Sequence, residues 1–229
     1  MQTIDIQATA APVEIDPART ALIVVDMQNA FGAPGGMFDK AGIDITEIQQ
    51  AVAPTRAAVH AARSAGIKIV YIKMGFLPDL SDLGAEDVPN GFLFLHLGVK
   101  DGVLTRDTWG TDIVEELTPQ DGETVIYKTR FSAFYRTELD DLLKSWGVKH
   151  LIVTGCTTSI CVESTIRDAF FRDYHCVLLE DCAAEPMGRS LSRSNHEATV
   201  LLVDRIFGSV STSTNFIDAI NASGSLAGT

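Results

Sequence analysis

Short apolar runs recur along the chain, and segments with helical periodicity separate them. Residues 21–25 read Ala-Leu-Ile-Val-Val without polar alternation, which is typical of a parallel strand covered on both faces. Similar runs predict five further strands, at residues 67–72, 123–127, 150–154, 175–179 and 208–211. Strands that alternate with helices predict an α/β fold, with a mostly parallel six-stranded sheet and helices on both faces.

The segments between these runs carry helix start and stop signals. Pro54 suits the first turn of a helix that ends at Gly66, and Thr137 suits the cap of a helix over residues 138–146. Further helices are predicted at residues 113–117, 159–172 and 191–205.

The remaining segments define the domain boundaries. Residues 1–19 have little periodicity and form an N-terminal extension that packs on the body, residues 20–220 form one domain, and residues 221–229 are expected to fray. Residues 75–108 contain two prolines and five glycines with weak periodicity, which is long for an idle connection. We expect this segment to act as a lid or pocket wall.

Composition excludes several classes of protein. The formal charge is −12 and the 18 Lys and Arg residues are scattered, which argues against nucleic acid as a partner. Neither a secretory signal nor the apolar run of about 18 residues needed to span a membrane is present. The four cysteines lack CxxC spacing, so a disulfide framework is not expected, and we expect a cytoplasmic protein.

Three reactive residues fall at the carboxyl ends of predicted strands. Asp26 follows the first strand, Lys128 follows the third, and the loop after the fourth leads to Cys161 at the start of a helix. Such ends meet at one edge of a parallel sheet. A helix N-terminus and an ammonium lower a thiol pKa, a carboxylate can take the thiol proton, and backbone N–H groups can face an oxyanion.

Each of these residues also has a structural explanation. A cysteine in an apolar helix is usually a core residue, an aspartate can terminate a strand, and a lysine can be a solvated charge. Their coincidence at one sheet edge favours catalysis, because a nucleophile, a base and a cation are all present.

Three blocks of sequence then resemble a known family. Residues 24–31 (Val-Val-Asp-Met-Gln-Asn-Ala-Phe), Lys128 and residues 154–162 (Thr-Gly-Cys-Thr-Thr-Ser-Ile-Cys-Val) resemble the signature blocks of the isochorismatase-like cysteine hydrolases, with likeness over about residues 18–220. The resemblance implies a three-layer α/β/α, Rossmann-like fold with a six-stranded sheet. It also implies an Asp26-Lys128-Cys161 triad, a cis peptide at Cys156-Thr157, and an oxyanion hole of the Thr157 and Cys161 backbone N–H groups.

The resemblance also narrows the subfamily. Nicotinamidases of this family bind a metal through an Asp-x-His pair and a further His, a pattern absent from residues 74–82, so no metal or cofactor is expected. True isochorismatases lack the nucleophilic cysteine. Residues 161–165 and 207–211, with other short blocks, look most like the ureido-amide branch, which includes ureidoacrylate amidohydrolases, biuret and triuret hydrolases and, more distantly, N-carbamoylsarcosine amidase.

The expected activity is therefore that of a cysteine amidohydrolase. It releases ammonia from the terminal carbamoyl group of a small linear ureido compound such as triuret, biuret or ureidoacrylate, and the family implies a homodimer or homotetramer. Two alternatives stay open: a nicotinamidase-like amidase, and a non-catalytic redox or binding protein on the same fold.

Substrate-contacting residues are expected in the loops at the same edge. Arg130 could orient a carbonyl or carboxylate, and Glu163 could accept ureido N–H bonds or only contact the helix dipole. Core packing explains the aromatic residues equally well. The candidates are Phe31, Phe76, Trp109, Arg130, Phe134 and Glu163.

Overall fold

A six-stranded parallel sheet organises the chain. In the computed structural model, which describes residues 3–83 and 101–226, the strand order is β5-β4-β3-β6-β7-β8, and β1 and β2 form a separate antiparallel hairpin. The strands are β1 Ile4–Ile6, β2 Val13–Ile15, β3 Thr20–Val25, β4 Lys68–Met74, β5 Thr124–Lys128, β6 His150–Cys156, β7 His175–Ala184 and β8 Ser209–Ser211.

Helices cover this sheet and complete the predicted three-layer α/β/α fold, which is confirmed. Helix α3 packs against β4, β6 and β7, and also against α7, while α5 packs against β7. The helices are α1 Asn29–Gly32, α2 Met37–Lys40, α3 Thr46–Ser64, α4 Leu139–Ser145, α5 Glu163–Phe170, α6 Asn195–Leu202 and α7 Ser213–Leu226. Within the described ranges no helix is long and apolar enough to cross a membrane.

The order in which strands are added to the sheet reverses at β3. The chain passes from β3 outward to β4 and β5, and then returns to place β6 on the other side of β3. All six residues of β3 are buried, as expected for a central strand with both faces covered. Ligand sites of open α/β sheets lie at such a switch point, beyond the carboxyl ends of the strands.

The first long helix begins earlier than the sequence predicts. Helix α3 starts at Thr46, so that Pro54 lies inside it rather than in its first turn. A proline removes the N–H that would bond the carbonyl four residues earlier. That carbonyl belongs to Gln50, which is exposed, so water can replace the missing donor.

Both chain ends contain regular structure that the sequence does not predict. The N-terminal extension contains the β1–β2 hairpin, whose residues Ile6 and Ile15 are fully buried, and Thr9 N donates to Val210 O at 2.8 Å. At the other end, α7 continues through Asn221 to Leu226, where a frayed tail was expected. Helix α7 packs against α3 and β1.

Several boundaries also differ from the predicted ones. Strand β7 extends five residues beyond the predicted end at Leu179, to Ala184, where it pairs with the end of β6. The predicted helix at residues 113–117 is a 3-10 turn over Glu115–Leu117. The segment predicted as a lid or pocket wall falls partly on residues 84–100, which lie outside the described residues.

Candidate active site

Asp26 turns sharply out of the end of β3. Its φ of 52° is a left-handed conformation that residues other than glycine rarely adopt. Three hydrogen bonds hold its backbone: its N–H donates to Ile72 O at 2.9 Å, and its carbonyl accepts from Gln28 N at 2.8 Å and from the Cys156 thiol at 3.1 Å. The surrounding strands therefore impose the backbone geometry that directs the carboxylate.

Lys128 is the last residue of β5 and is completely buried. Its ammonium Nζ lies 2.6 Å from Asp26 Oδ2 and 3.3 Å from Cys161 Sγ. A buried ammonium is stable only when an opposite charge compensates for its lost hydration. The Asp26 carboxylate provides that charge, and the ammonium joins the two other reactive residues.

Cys161 lies in a wide helical turn, Thr158–Val162, between the end of β6 and helix α5. The residue is 6% exposed. Its carbonyl accepts from Thr165 Oγ1 at 2.7 Å, and Thr165 Oγ1 in turn accepts from Ala133 N at 3.0 Å. Thr165 thus connects the turn that bears the thiol with the segment that follows Lys128.

The pKa directions at these residues follow from burial and charge. Burial raises the pKa of Asp26, and the neighbouring ammonium opposes this effect only in part. Burial lowers the pKa of Lys128, but the charges of Asp26 and Cys161 outweigh it, so the pKa is raised overall. The structure therefore favours a permanent cation beside a carboxylate that accepts protons more readily than an exposed aspartate.

The Cys161 thiol is less acidic than the sequence predicts. Burial raises the pKa of Cys161, and Lys128 lowers it by less than burial raises it. The predicted depression of this pKa is therefore wrong for the resting protein, because loss of hydration outweighs the cation and the helix N-terminus. The sulfur rests as a neutral thiol, and its proton must move to a base when it attacks.

Gly155 allows the strands that carry these residues to approach closely. Its φ is +118°, and a Cβ at this position would lie 2.0 Å from Val25 O. Val25 is the residue before Asp26, and it pairs with Gly155 in the sheet. A glycine is therefore required where β6 passes β3.

Gln28 connects the loop after β3 to two other segments. Its buried amide donates to Met74 O at 3.0 Å and to Gly110 O at 3.2 Å, and its Oε1 accepts from Met74 N at 2.8 Å. Met74 is the register partner of Lys128 in the sheet. The amide thus fixes the Asp26 loop relative to the strand beside Lys128.

The peptide bond between Cys156 and Thr157 is cis, as the resemblance implies. Thr157 O accepts from Ile160 N at 3.1 Å and from Val162 N at 3.2 Å, which closes the turn that contains Cys161. The oxyanion role of the Thr157 and Cys161 N–H groups stays a prediction.

Two of the predicted substrate-contacting residues have side chains engaged elsewhere. The Glu163 carboxylate accepts from Arg167 Nε and Nη2 at 2.8 and 2.7 Å and from Thr199 Oγ1 at 2.6 Å, so it connects α5 with α6. The Phe134 ring lies 5.9 Å from the ring of Tyr174, the residue just before β7 begins. These contacts favour the structural explanation for both residues.

The other four candidates lie in or near loops at the carboxyl edge. Phe31 is buried with its ring 4.9 Å from that of Phe38, and Phe76 is buried in a short bridge with Thr105. Trp109 is 50% exposed. Arg130 Nη1 donates to Thr129 O at 2.6 Å. Their contact with substrate stays a prediction.

Residues 3–83 and 101–226 contain no cluster of three or more His, Cys, Asp or Glu side chains arranged to hold a metal ion. The four cysteines are free and buried.

Sequence comparison assigns the family. The model of the isochorismatase domain matches residues 20–215. This chain therefore belongs to the isochorismatase domain family.

Individual relatives agree with this assignment. The ureidoacrylate amidohydrolase RutB of Pantoea ananatis (strain LMG 20103) is 38% identical over 211 residues, which cover 89% of this chain and 83% of the relative. A cysteine hydrolase from Pseudomonas syringae pv. phaseolicola superposes with a TM-score of 0.79 at 29% identity, covering 91% of this chain and 95% of the other. The N-carbamoylsarcosine amidase from Thermoplasma acidophilum gives a TM-score of 0.64 at 25% identity, covering 85% and 96%.

The sequence did not indicate the connecting roles of Gln28 and Thr165, or the buried carboxylate of Glu185, which accepts from Ser159 N at 2.9 Å in the turn that contains Cys161. Gln28 was part of a signature block without a role of its own. Glu185 follows Cys182-Ala183-Ala184 as Asp26 follows Val24-Val25, an acid directly after an apolar strand end. The apolar pattern predicts a strand that ends at Leu179, so it does not place Glu185 at a strand end.

Proposed function

We propose that this protein is a cysteine amidohydrolase that cleaves the terminal carbamoyl amide of a small linear ureido compound and releases ammonia. The observation that carries the proposal is the buried contact of Lys128 Nζ with both Asp26 Oδ2, at 2.6 Å, and Cys161 Sγ, at 3.3 Å. A nucleophile, a proton acceptor and a cation within contact distance are the elements of a thiol acyl-transfer site.

The first half-reaction forms a thioester. Asp26 accepts the proton of the Cys161 thiol while the sulfur attacks the terminal carbamoyl carbon. Lys128 stabilises the developing negative charge, and the Thr157 and Cys161 backbone N–H groups stabilise the oxyanion. The C–N bond then breaks, Asp26 returns the proton to the departing nitrogen, and ammonia leaves.

The second half-reaction regenerates the thiol. Water attacks the thioester carbon as Asp26 takes one of its protons, and the C–S bond breaks. That proton returns to the Cys161 sulfur. The product is an N-carboxylate, which decomposes to an amine and carbon dioxide.

The relatives support this choice of substrate class. The 38% identical protein is named for hydrolysis of ureidoacrylate, and a structural neighbour is named for hydrolysis of N-carbamoylsarcosine. Both names describe a carbamoyl group on nitrogen. We therefore propose ureidoacrylate, biuret and triuret as the first substrates to examine.

The deciding experiment is an ammonia-release screen over ureidoacrylate, biuret, triuret, N-carbamoyl amino acids and nicotinamide. We expect turnover of a ureido compound by the wild type and none by Cys161→Ala or Cys161→Ser. Cys176→Ala is the matched control, because Cys176 is another buried cysteine, in β7, and this variant should retain turnover. Full activity in a Cys161 variant would refute the thiol mechanism, and turnover of nicotinamide alone would refute the substrate class.

A further inference from the structure

Glu185 is a buried carboxylate at the edge of the sheet that carries the site. It directly follows Ala184, the last residue of β7, which pairs with Cys156 at the end of β6. Glu185 is only 1% exposed. Burial of a carboxylate is costly unless hydrogen-bond donors compensate for its lost hydration.

The donors come from two backbone N–H groups and one hydroxyl. Ser159 N donates to Glu185 Oε2 at 2.9 Å, Ser159 Oγ donates to the same oxygen at 2.5 Å, and Met187 N donates to Oε1 at 3.1 Å. No lysine, arginine or histidine in the described part of the chain forms an ion pair with it. Ser159 therefore supplies two of the three hydrogen bonds that compensate for the burial of this carboxylate.

Ser159 lies between the two residues whose N–H groups are assigned to the oxyanion. Bonds from Ile160 N and Val162 N to Thr157 O close this turn internally. Glu185 also binds this turn from outside it, through the backbone N–H and the hydroxyl of Ser159. Contact between Thr158 Oγ1 and His196 Nδ1 at 3.0 Å supports the neighbouring residue in the same way.

We propose that Glu185 is a positioning residue that holds the 157–161 backbone in the orientation required to bind the oxyanion. The proposal rests on the proposed function of Cys161 as a nucleophile. Glu185 touches neither Asp26 nor Lys128 among the contacts described, and donors already occupy both of its oxygens, so it acts through Ser159 and exchanges no proton with the substrate.

The test is Glu185→Gln, which replaces one acceptor oxygen by an NH2 group facing donors. We expect kcat to fall about 10- to 100-fold with KM changed less than about 3-fold, because misplaced oxyanion donors weaken only the transition state. Ser159→Ala removes one of the three bonds and should lower kcat by about 3- to 10-fold. If Glu185→Gln fails to fold, Ser159→Ala still tests the proposal.

Two assays separate this proposal from the proposed substrate class. Hydrolysis of p-nitrophenyl acetate needs the thiol and the oxyanion site but no ureido group, so both variants should lose it in parallel with amide turnover. If the wild type cleaves the ester through Cys161 but no ureido compound, only the substrate class fails. The alkylation rate of Cys161 by iodoacetamide should stay within about 2-fold of the wild type, because no oxyanion forms in that reaction.

Glu123→Gln is the matched control. Glu123 is a partly buried carboxylate that accepts from Arg63 Nε at 2.7 Å and from Gln120 N at 2.7 Å, just before β5 begins and away from the site. It should lose stability but keep kcat. The proposal is overturned if Glu185→Gln behaves like this control, or if its kcat and its alkylation rate fall together.

Discussion

The Lys128 ammonium lies 2.6 Å from the Asp26 carboxylate, and neither side chain is exposed to solvent. The two residues come from the ends of β5 and β3, with β4 between them. Each charge compensates for the hydration that the other loses on burial. Cys161 contacts the same ammonium. Stability and reactivity therefore depend on the same ion pair.

Removing one partner should be more harmful than removing both. Lys128→Met leaves a buried carboxylate without its cation, and we expect a loss of about 3–5 kcal/mol in the free energy of unfolding. The double variant Asp26→Asn, Lys128→Met should be more stable than the sum of the single losses predicts. Urea unfolding of Lys128→Met, Asp26→Asn and the double variant measures this coupling. Strict additivity would mean that the two charges do not stabilise each other.

The fall in kcat/KM at low pH should reflect the raised pKa of Asp26. Its carboxylate must be deprotonated to accept the thiol proton, so kcat/KM falls as the pH drops through its pKa. Since burial raises this pKa from the ordinary 3.8, the midpoint should lie above that value. Circular dichroism over the same pH range separates loss of the base from unfolding. A midpoint at or below 3.8 contradicts the prediction.

Alkylation should show that the resting sulfur is a thiol. Burial raises the pKa of Cys161, so the rate with iodoacetamide should still be rising at pH above about 8.5, the ordinary pKa of a cysteine. Lys128→Met should move the curve to higher pH, because the ammonium lowers this pKa. Cys161→Ala provides the blank for the other three cysteines. A rate that is already constant at neutral pH is the contrary result.

Gly155→Ala should disrupt the site through the backbone. Its new Cβ would meet Val25 O at 2.0 Å, and the φ of +118° is unfavourable for alanine. We expect a loss of at least about 3 kcal/mol and little activity. Gly42→Ala is the control, because Gly42 also has a positive φ, of +74°, but nothing within 4 Å, and it should cost roughly 1 kcal/mol. Equal losses in the two variants would show that the close approach is unimportant.

Gln28→Met tests the amide that connects three segments. The substitution keeps the size of the side chain but removes the hydrogen bonds of the amide to Met74 N, Met74 O and Gly110 O. Each unpaired buried polar group costs about 1–3 kcal/mol. We expect lower stability and a lower kcat, measured by unfolding and ammonia release. Wild-type stability and wild-type kcat in this variant would show that Gln28 does not support the Asp26 loop.

The sequence predicts the sheet and the triad because both depend on local patterns. Buried parallel strands are continuous apolar runs, and β3 with Asp26 directly after it is visible as such. The carboxyl ends of parallel strands share one edge, so Asp26, Lys128 and Cys161 can be brought together without coordinates. The family resemblance adds the cis peptide at Cys156-Thr157.

Other features depend on tertiary contacts that no local pattern encodes. Pro54 looks like a helix start, but packing of α3 on the sheet carries the helix through it. The pKa of Cys161 depends on how completely the thiol is desolvated, which spacing cannot reveal. Glu163 looks available to a substrate until its contacts with Arg167 and Thr199 are known.

Phe76 and Arg106 lie side by side although they are far apart in the sequence. Phe76 N donates to Leu104 O at 2.8 Å, Arg106 N donates to Phe76 O at 2.9 Å, and the Arg106 side chain pairs with Asp82 at 2.8 Å. A stretch with such closely spaced ends can be exchanged as a cassette. Such an exchange would leave Asp26, Lys128 and Cys161 in place, because none of them lies within it.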